Sequence, residues 1–330
     1  MAFSVFVLVV LALQSVNALA ADKTKLVVQT DWTAHGMTAG LMLAKQKGWF
    51  DEAGLDVDVL DGKGSTSTIQ QVAAGQIDVG FAQLSSMAAG VANGLPVISV
   101  MGIVQAGDAG IAVPINSGWN TLKDLKGTRI LVASGSGTAP YFDSFLKAGG
   151  VSRSDFTVIN VDITAQVPTF ISEGGDGVLQ LAFYFLPLVQ KERPAKMILF
   201  SDVGLHVPSY GLIVRKDAID KSADALGKFV QVQQRSWAYI FAGHEQEAID
   251  AIMAQRSGQR LDPVILLAQL KADMPLFTTA ATKGKPVGTQ SDSDWQGTIN
   301  SMQEVGLVKS PIKPADIFTN RFISDKYVLN

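Results

Sequence analysis

The sequence predicts an α/β protein built from two small parallel-sheet lobes, and three features of the 330-residue chain carry that expectation. Apolar residues recur with periods of 2 and 3.6 in alternation, as they do where strands and helices follow one another. The same alternation restarts after a loop at Asn116–Trp119. The C-terminal third is then largely helical, with too little strand to build a third lobe.

In the first passage, Lys25–Gln29 reads as a strand and Thr38–Lys47 as a helix with Leu41, Met42 and Ala44 on one stripe. Gly48 ends that helix, and Leu55–Val59 alternates as the next strand. Ser65–Ala74 is a helix opened by hydroxyl residues suited to N-capping. Ile77–Phe81 is a strand, Ser85–Ala92 a short helix and Val97–Val104 a strand. In the second passage the strands are Arg129–Val132, Thr157–Val161 and a stretch near Val178–Ala182, with helices at Tyr141–Ala148 and Ala165–Ser172. Beyond the strand-like Gly211–Arg215 come helices at Ala218–Phe241, Glu245–Arg256, Val264–Lys271 and Asp294–Val305.

These last helices are expected to pack back on the first lobe. The chain then crosses between lobes twice, near Val104–Pro114 and Phe200–Ile213, which makes a hinge. The implied organisation is a removable segment at 1–20, a discontinuous first lobe at 21–108 and 207–330, and a second lobe at 109–206. A ligand belongs in the cleft between them, where helix N-termini follow strand C-termini.

The segment at 1–20 is apolar and ends in Ala18-Leu19-Ala20, the small-x-small pattern of a signal-peptidase site, although no Lys or Arg precedes it. Cleavage is expected after about Ala20. The chain contains no cysteine. That removes disulfides, thiolate chemistry and the acylated cysteine of a lipid anchor, so the expected location is the periplasm. A net charge of −3 lacks the basic footprint of a nucleic-acid binder, and a monomer is expected.

Catalytic motifs are scarce. His244-Glu245 begins like a zincin helix, but Ala248 stands where the second histidine belongs. There is no Gly-x-Ser-x-Gly elbow and no Walker A sequence. Gly135-Ser136-Gly137 starts a dinucleotide fingerprint that Pro140 breaks. No metal site and no cofactor are expected, and the chain reads as a binder rather than an enzyme.

The binding candidates lie at strand-to-helix turns. Asp31, Trp32, His35 and Thr38 follow the first strand. Trp32 is suited to stack on a planar ring while Asp31 accepts N–H donors. The competing reading is a core tryptophan with a capping aspartate. Ser65 and Thr66 belong to the glycine–hydroxyl run Gly62–Thr68, and Ser134, Ser136, Gly137 and Thr138 to its counterpart in the second passage. Backbone N–H groups at such helix starts bind oxyanions or carbonyls. Either loop alone is an ordinary cap; two at equivalent places favour a shared cleft. Gln83 and Ser85 follow the third strand. Phe183-Tyr184-Phe185 follows its counterpart, with Tyr184 as a second stacking surface or the trio as a core edge.

On these residues the chain resembles the periplasmic binding proteins of the thiamine-precursor type, within a broader group that includes alkanesulfonate, taurine and nitrate binders. The resemblance is carried by Asp31-Trp32, by Lys47-Gly48-Trp49-Phe50 with Ala53-Gly54-Leu55-Asp56-Val57, and by Gly75–Gly80. Further matches are Leu122–Gly127, Ala165–Pro168, Val207–Gly211, Trp237-Ala238-Tyr239, and Trp295 through Gly306-Leu307. It implies the two-lobed periplasmic-binding-protein fold of type II and an ABC permease as partner. It also implies roles for Asp31, Trp32 and the loops at Ser65 and Ser136. Pyrimidine-binding relatives often carry a histidine that falls at Thr38 here, whereas this chain has His35, and Leu179–Phe183 departs from the usual pattern. The favoured ligand is a planar heteroaromatic such as a pyrimidine or vitamin precursor, with a sulfonate, taurine or nitrate as the alternative. Fungal pyrimidine synthases share the implied fold but use a cysteine-rich motif, which this chain lacks.

Overall fold

A computed structural model describes residues 23–304, 306–308 and 311–329. The expected export segment lies outside the described residues. Among the described residues, ten strands form two five-stranded sheets. The first sheet holds β1 (Thr24–Gln29), β2 (Leu55–Leu60), β3 (Val79–Gln83), β4 (Val97–Gly102) and β10 (Tyr210–Arg215), in the order β2-β1-β3-β10-β4. The second holds β5 (Ala109–Pro114), β6 (Arg129–Val132), β7 (Thr157–Asn160), β8 (Gly177–Leu181) and β9 (Ala195–Leu199), in the order β7-β6-β8-β5-β9.

The two-lobed α/β expectation matches this architecture, but the sheets are mixed rather than parallel. In each lobe the strand next to a crossing runs against its neighbours: β10 is antiparallel to β3 and β4, and β5 to β8 and β9. A chain entering a lobe from the hinge arrives from the opposite end to the strands of the βα units, so antiparallel pairing is the route it has. The Ile77–Phe81 strand sits two residues later, because Asp78 Oδ2 accepts the Val27 N–H at 2.7 Å and ends the preceding turn there. The expected Ala218–Phe241 helix is split in two at Ser222.

The C-terminal helices cover the first lobe. Phe229, in the Ala223–Phe241 helix, stacks on Phe50 at 5.3 Å, and Trp237 meets Phe277 edge-on at 4.7 Å. Ser236 donates to the Gly40 carbonyl at 2.7 Å, which ties that helix to the buried Ala39–Gln46 helix beside β1.

Between β4 and β5 the outgoing crossing runs alongside the returning one. Ile103 and Val104 donate to the Tyr210 carbonyl at 2.9 Å, and Ser209 donates to Val104 at 3.0 Å. Gly107 passes so close to the return segment that a Cβ there would lie 2.2 Å from the Val207 carbonyl oxygen. The two crossings are thus a hydrogen-bonded pair of extended segments. Gly107→Ala is expected to destabilise the protein by about 1–3 kcal/mol, the usual toll of overpacking, read as a lower urea midpoint.

Candidate functional site

Four strand ends and two loops converge between the lobes on a small pocket. Asp31 lies two residues beyond β1, Gln83 ends β3, Gln180 and Leu181 end β8, and Tyr210 opens β10. The β3–β10 register sets Tyr210 directly opposite Gln83. Parallel strands of a sheet finish at the same edge, which is why residues distant in sequence share one rim.

At the centre is a hydrogen-bonded chain. Tyr210 donates its hydroxyl to Asp31 Oδ2 at 2.7 Å, and His35 Nε2 lies 3.0 Å from Asp31 Oδ1. The other ring nitrogen, Nδ1, accepts the Met37 N–H at 3.2 Å. A ring nitrogen that accepts an N–H carries no proton, so the proton resides on Nε2 and points at Asp31. His35 is therefore the neutral Nε2–H form, only 2 % exposed, inside a box of Phe81, Phe183, Tyr184 and Tyr210 rings. Each Asp31 oxygen keeps a further lone pair for a donor entering the pocket.

Burial pushes the Tyr210 phenol well above its ordinary value, and the adjacent Asp31 pushes it further in the same direction. Burial also raises Tyr184, a shift opposed by its hydrogen bonding with Trp32. Both hydroxyls stay protonated near neutral pH. That of Tyr210 is committed to Asp31, while Tyr184 presents its own at the pocket wall.

The two glycine–hydroxyl loops meet across the cleft. Gly64 has φ +112°, which glycine alone tolerates well, and its N–H donates to the Asp31 carbonyl at 2.6 Å. A Cβ at Gly64 would collide with the Gly135 carbonyl of the opposite lobe at 2.2 Å. Ser65 Oγ accepts the Gln83 N–H at 3.2 Å, leaving its own hydrogen for the pocket. Further bonds bridge the lobes, among them Ser86 Oγ to the Gly137 carbonyl at 2.5 Å, Tyr141 to the Ser85 carbonyl at 2.6 Å, and Gln269 Nε2 to the Tyr184 carbonyl at 3.3 Å. The lobes are closed on one another.

Of the residues singled out from sequence, Asp31, Trp32, His35, Ser65, Gln83, Ser136, Gly137 and Tyr184 line the pocket together. The other five do not. Thr38 is fully buried behind His35, to whose carbonyl its hydroxyl donates at 2.8 Å. Ser85 faces the lobe interface, and Thr138 pairs with Ser136 at 3.0 Å beneath the rim. Thr66 lies outside the lining, and Ser134 is exposed. Gly64, of the expected glycine–hydroxyl loop, and Ile163, Gln180, Leu181 and Tyr210, which the sequence did not single out as ligand-binding, complete the lining. The aromatic trio belongs to a helix, Ala182–Val189, which turns Phe183 and Phe185 into core and leaves Tyr184 at the pocket. Among the described residues no Lys or Arg lines the pocket, and no group of three metal-ligating side chains is present.

Tyr210→Phe removes one of the two donors that fix Asp31, and a hydrogen bond to a charged group contributes about 1.5–3 kcal/mol. The variant is expected to lose stability of that order in urea denaturation, with little change in the denaturant slope.

Comparison with known proteins now bears on this geometry. The formylaminopyrimidine-binding protein of Halalkalibacterium halodurans is 20% identical over 296 residues, covering 89% of each chain. The 4-amino-5-hydroxymethyl-2-methylpyrimidine phosphate synthase of Schizosaccharomyces pombe is 26% identical over 157 residues, 47% of this chain and 45% of that one. Among solved structures, the alkanesulfonate-binding protein SsuA of Xanthomonas axonopodis pv. citri, bound to MOPS, superposes with a TM-score of 0.68 at 17% identity, over 91% of this chain and 99% of that one. That likeness establishes the two-lobed periplasmic-binding-protein fold. The family model described as NMT1/THI5 like matches residues 36–248, from the His35–Gly36 turn through the second lobe and into the C-terminal helices. The chain belongs to the NMT1/THI5-like family.

Proposed function

We propose that the protein captures a small planar heteroaromatic ligand carrying amino or ring N–H donors, of the pyrimidine or vitamin-precursor type. In this reading it works in the periplasm as the monomeric solute-binding component of an ABC importer, delivering that ligand to the transmembrane permease. The observation that carries the reading is the Asp31 carboxylate, held by His35 and Tyr210 at a rim with no lining cation. A carboxylate so fixed is an acceptor for paired N–H groups, and Trp32 and Tyr184 offer aromatic surface beside it.

The alternative ligand is a small organic anion such as a sulfonate, taurine or nitrate, and the meeting of the Ser65 and Ser136 loops supports it. Charge decides against it. An anion about 4 Å from Asp31 is repelled by about 4 kcal/mol at an effective dielectric of 20, and no lining residue offsets that. A pyrimidine-synthase-like activity is the minor alternative. Both nitrogens of His35 are engaged, by Met37 and Asp31, so the imidazole is not poised as a general base, and the chain has no cysteine. Capture rather than turnover fits these groups. Ligand binding energy then shifts the lobes toward the closed arrangement that a permease recognises.

A thermal-shift series with a formylaminopyrimidine, an alkanesulfonate, taurine and nitrate tests the reading. Ligand at about 100 times its Kd stabilises the folded state by about 2.7 kcal/mol, a rise of several degrees. The aminopyrimidine is expected to give that rise, and Asp31→Asn to weaken its binding by about 10–100-fold, the worth of a charge-assisted hydrogen bond. A sulfonate or nitrate response that Asp31→Asn strengthens would instead favour the anion.

A further inference from the structure

Behind the pocket, at the hinge, two carboxylates face a common cavity of about 400 Å³ walled by Leu186, Ala268, Ala272 and Leu276. Asp108 is the last residue before β5. Its carbonyl accepts the Ala182 N–H at 3.2 Å and its Oδ2 the Phe183 N–H at 2.8 Å, so it caps the Ala182–Val189 helix of the second lobe. Asp273 ends the Pro263–Asp273 helix, which packs on the first lobe and against the capped helix. It is fully buried, and neither of its oxygens has a hydrogen-bond partner among the described residues; nor has Asp108 Oδ1. Among the described residues, no Lys, Arg or His lines the cavity.

Two ionised carboxylates cannot share such a place. Each loses its hydration, and each repels the other. The available donors decide which keeps the charge. Asp108 caps a helix N-terminus and receives the Phe183 N–H, whereas Asp273, where its helix runs into the 3-10 turn Met274–Leu276, has no donor on either oxygen among the described residues. We propose that Asp108 and Asp273 hold one proton between them, residing mainly on Asp273, and that this proton is a pH-sensitive lock on the closed lobes. The lock joins a second-lobe cap to a first-lobe helix that also reaches the Tyr184 carbonyl through Gln269. Opening admits water, restores the hydration of both carboxyls and releases the proton.

The electrostatics run the same way. Burial pushes Asp108 up to about 6, against the lowering effect of its backbone donors, and burial followed by the Asp108 charge pushes Asp273 well above the carboxylate range. Few other titratable groups face the pair. Tyr210, His35 and Asp31 lie on the pocket side, with Tyr210 sensing the Asp108 charge, and Tyr184 shares the capped helix. Lys271 on the helix of Asp273 is exposed, and His206 is exposed in the adjoining groove with Gly107 and Leu276. Carboxyls raised above their unfolded value of 3.8 stabilise the folded, closed form fully below that value. That contribution is lost as pH rises through about 6 and beyond, by up to about tenfold in the equilibrium per pH unit for each proton released.

The lock rests on the lobe-closing reading above for its role, but its test needs no ligand. Melting temperatures of the ligand-free wild type and Asp273→Asn are compared from pH 4.5 to 8, alongside small-angle scattering at pH 5 and pH 8. An asparagine keeps a donor for Asp108 without the titration, so the variant should gain on the wild type steadily as pH rises. The wild type should be more expanded at pH 8 than at pH 5, and the variant unchanged. Parallel melting profiles, or the same pH response of size in both proteins, would overturn the proposal. If Asp273→Asn does not fold, Asp108→Asn, whose amide oxygen still caps the helix, is held to the same two outcomes. A protein that shows the lock yet binds no pyrimidine would overturn only the functional reading.

Discussion

Asp31 is the group on which the cleft is organised. Its carboxylate receives a hydroxyl from β10 and a ring N–H from the turn after β1, while its backbone carbonyl receives the Gly64 N–H of the facing loop. Three segments separated by 30 to 180 positions are thus tied to one residue. A buried carboxylate is tolerable only when its oxygens are well supplied with donors, and this one has two inside the protein and room for more from a ligand. The neutral form of His35 follows from the same economy, since Met37 claims Nδ1 and leaves Nε2–H for Asp31.

That arrangement depends on the hinge. Tyr210 can reach Asp31 only because the return crossing is zipped to the outgoing one through Ile103, Val104 and Ser209, and because Gly107 lets the two pass at contact distance. Closure then brings the second lobe's Ser136, Gln180 and Tyr184 to the same rim. The polar bonds across the closed lobes, Ser86 to Gly137, Tyr141 to Ser85 and Gln269 to Tyr184, accompany aromatic packing of Phe183 and Tyr184 on His35 and of Phe183 on Tyr210. Polar contacts of this kind can exchange for water when the lobes part. A ligand that both lobes touch can tip the balance between open and closed forms.

Much of this was legible from the chain, and the failures have physical reasons. β2 alternates buried and exposed residues along its whole length, so a period of 2 reveals it. β5 is buried at five of six positions and shows no alternation, and β9 carries Lys196 within a short run, so neither announces itself. The Ala182–Val189 helix contains Pro187 and a run of aromatics, which hides its helical period. Asp31, Trp32 and the glycine–hydroxyl loops were found because their chemistry is local. Tyr210 and Gln180 were missed because their place at the rim is a property of strand register and lobe closure. Ser134 and Thr138 were over-read for the converse reason: they share a loop with Ser136, but the turn sends only some of its side chains to the cleft.

The central claim is that Asp31 is the anchor of a donor-bearing ring held between the lobes. A crystal structure of the protein with an aminopyrimidine tests it most directly. The account predicts the ring beside Trp32 and Tyr184, with an amino or ring N–H within about 3 Å of an Asp31 oxygen, the usual hydrogen-bond distance. A ligand seated instead against the Ser65 and Ser136 loops with its acceptors, and with no donor on Asp31, would contradict it.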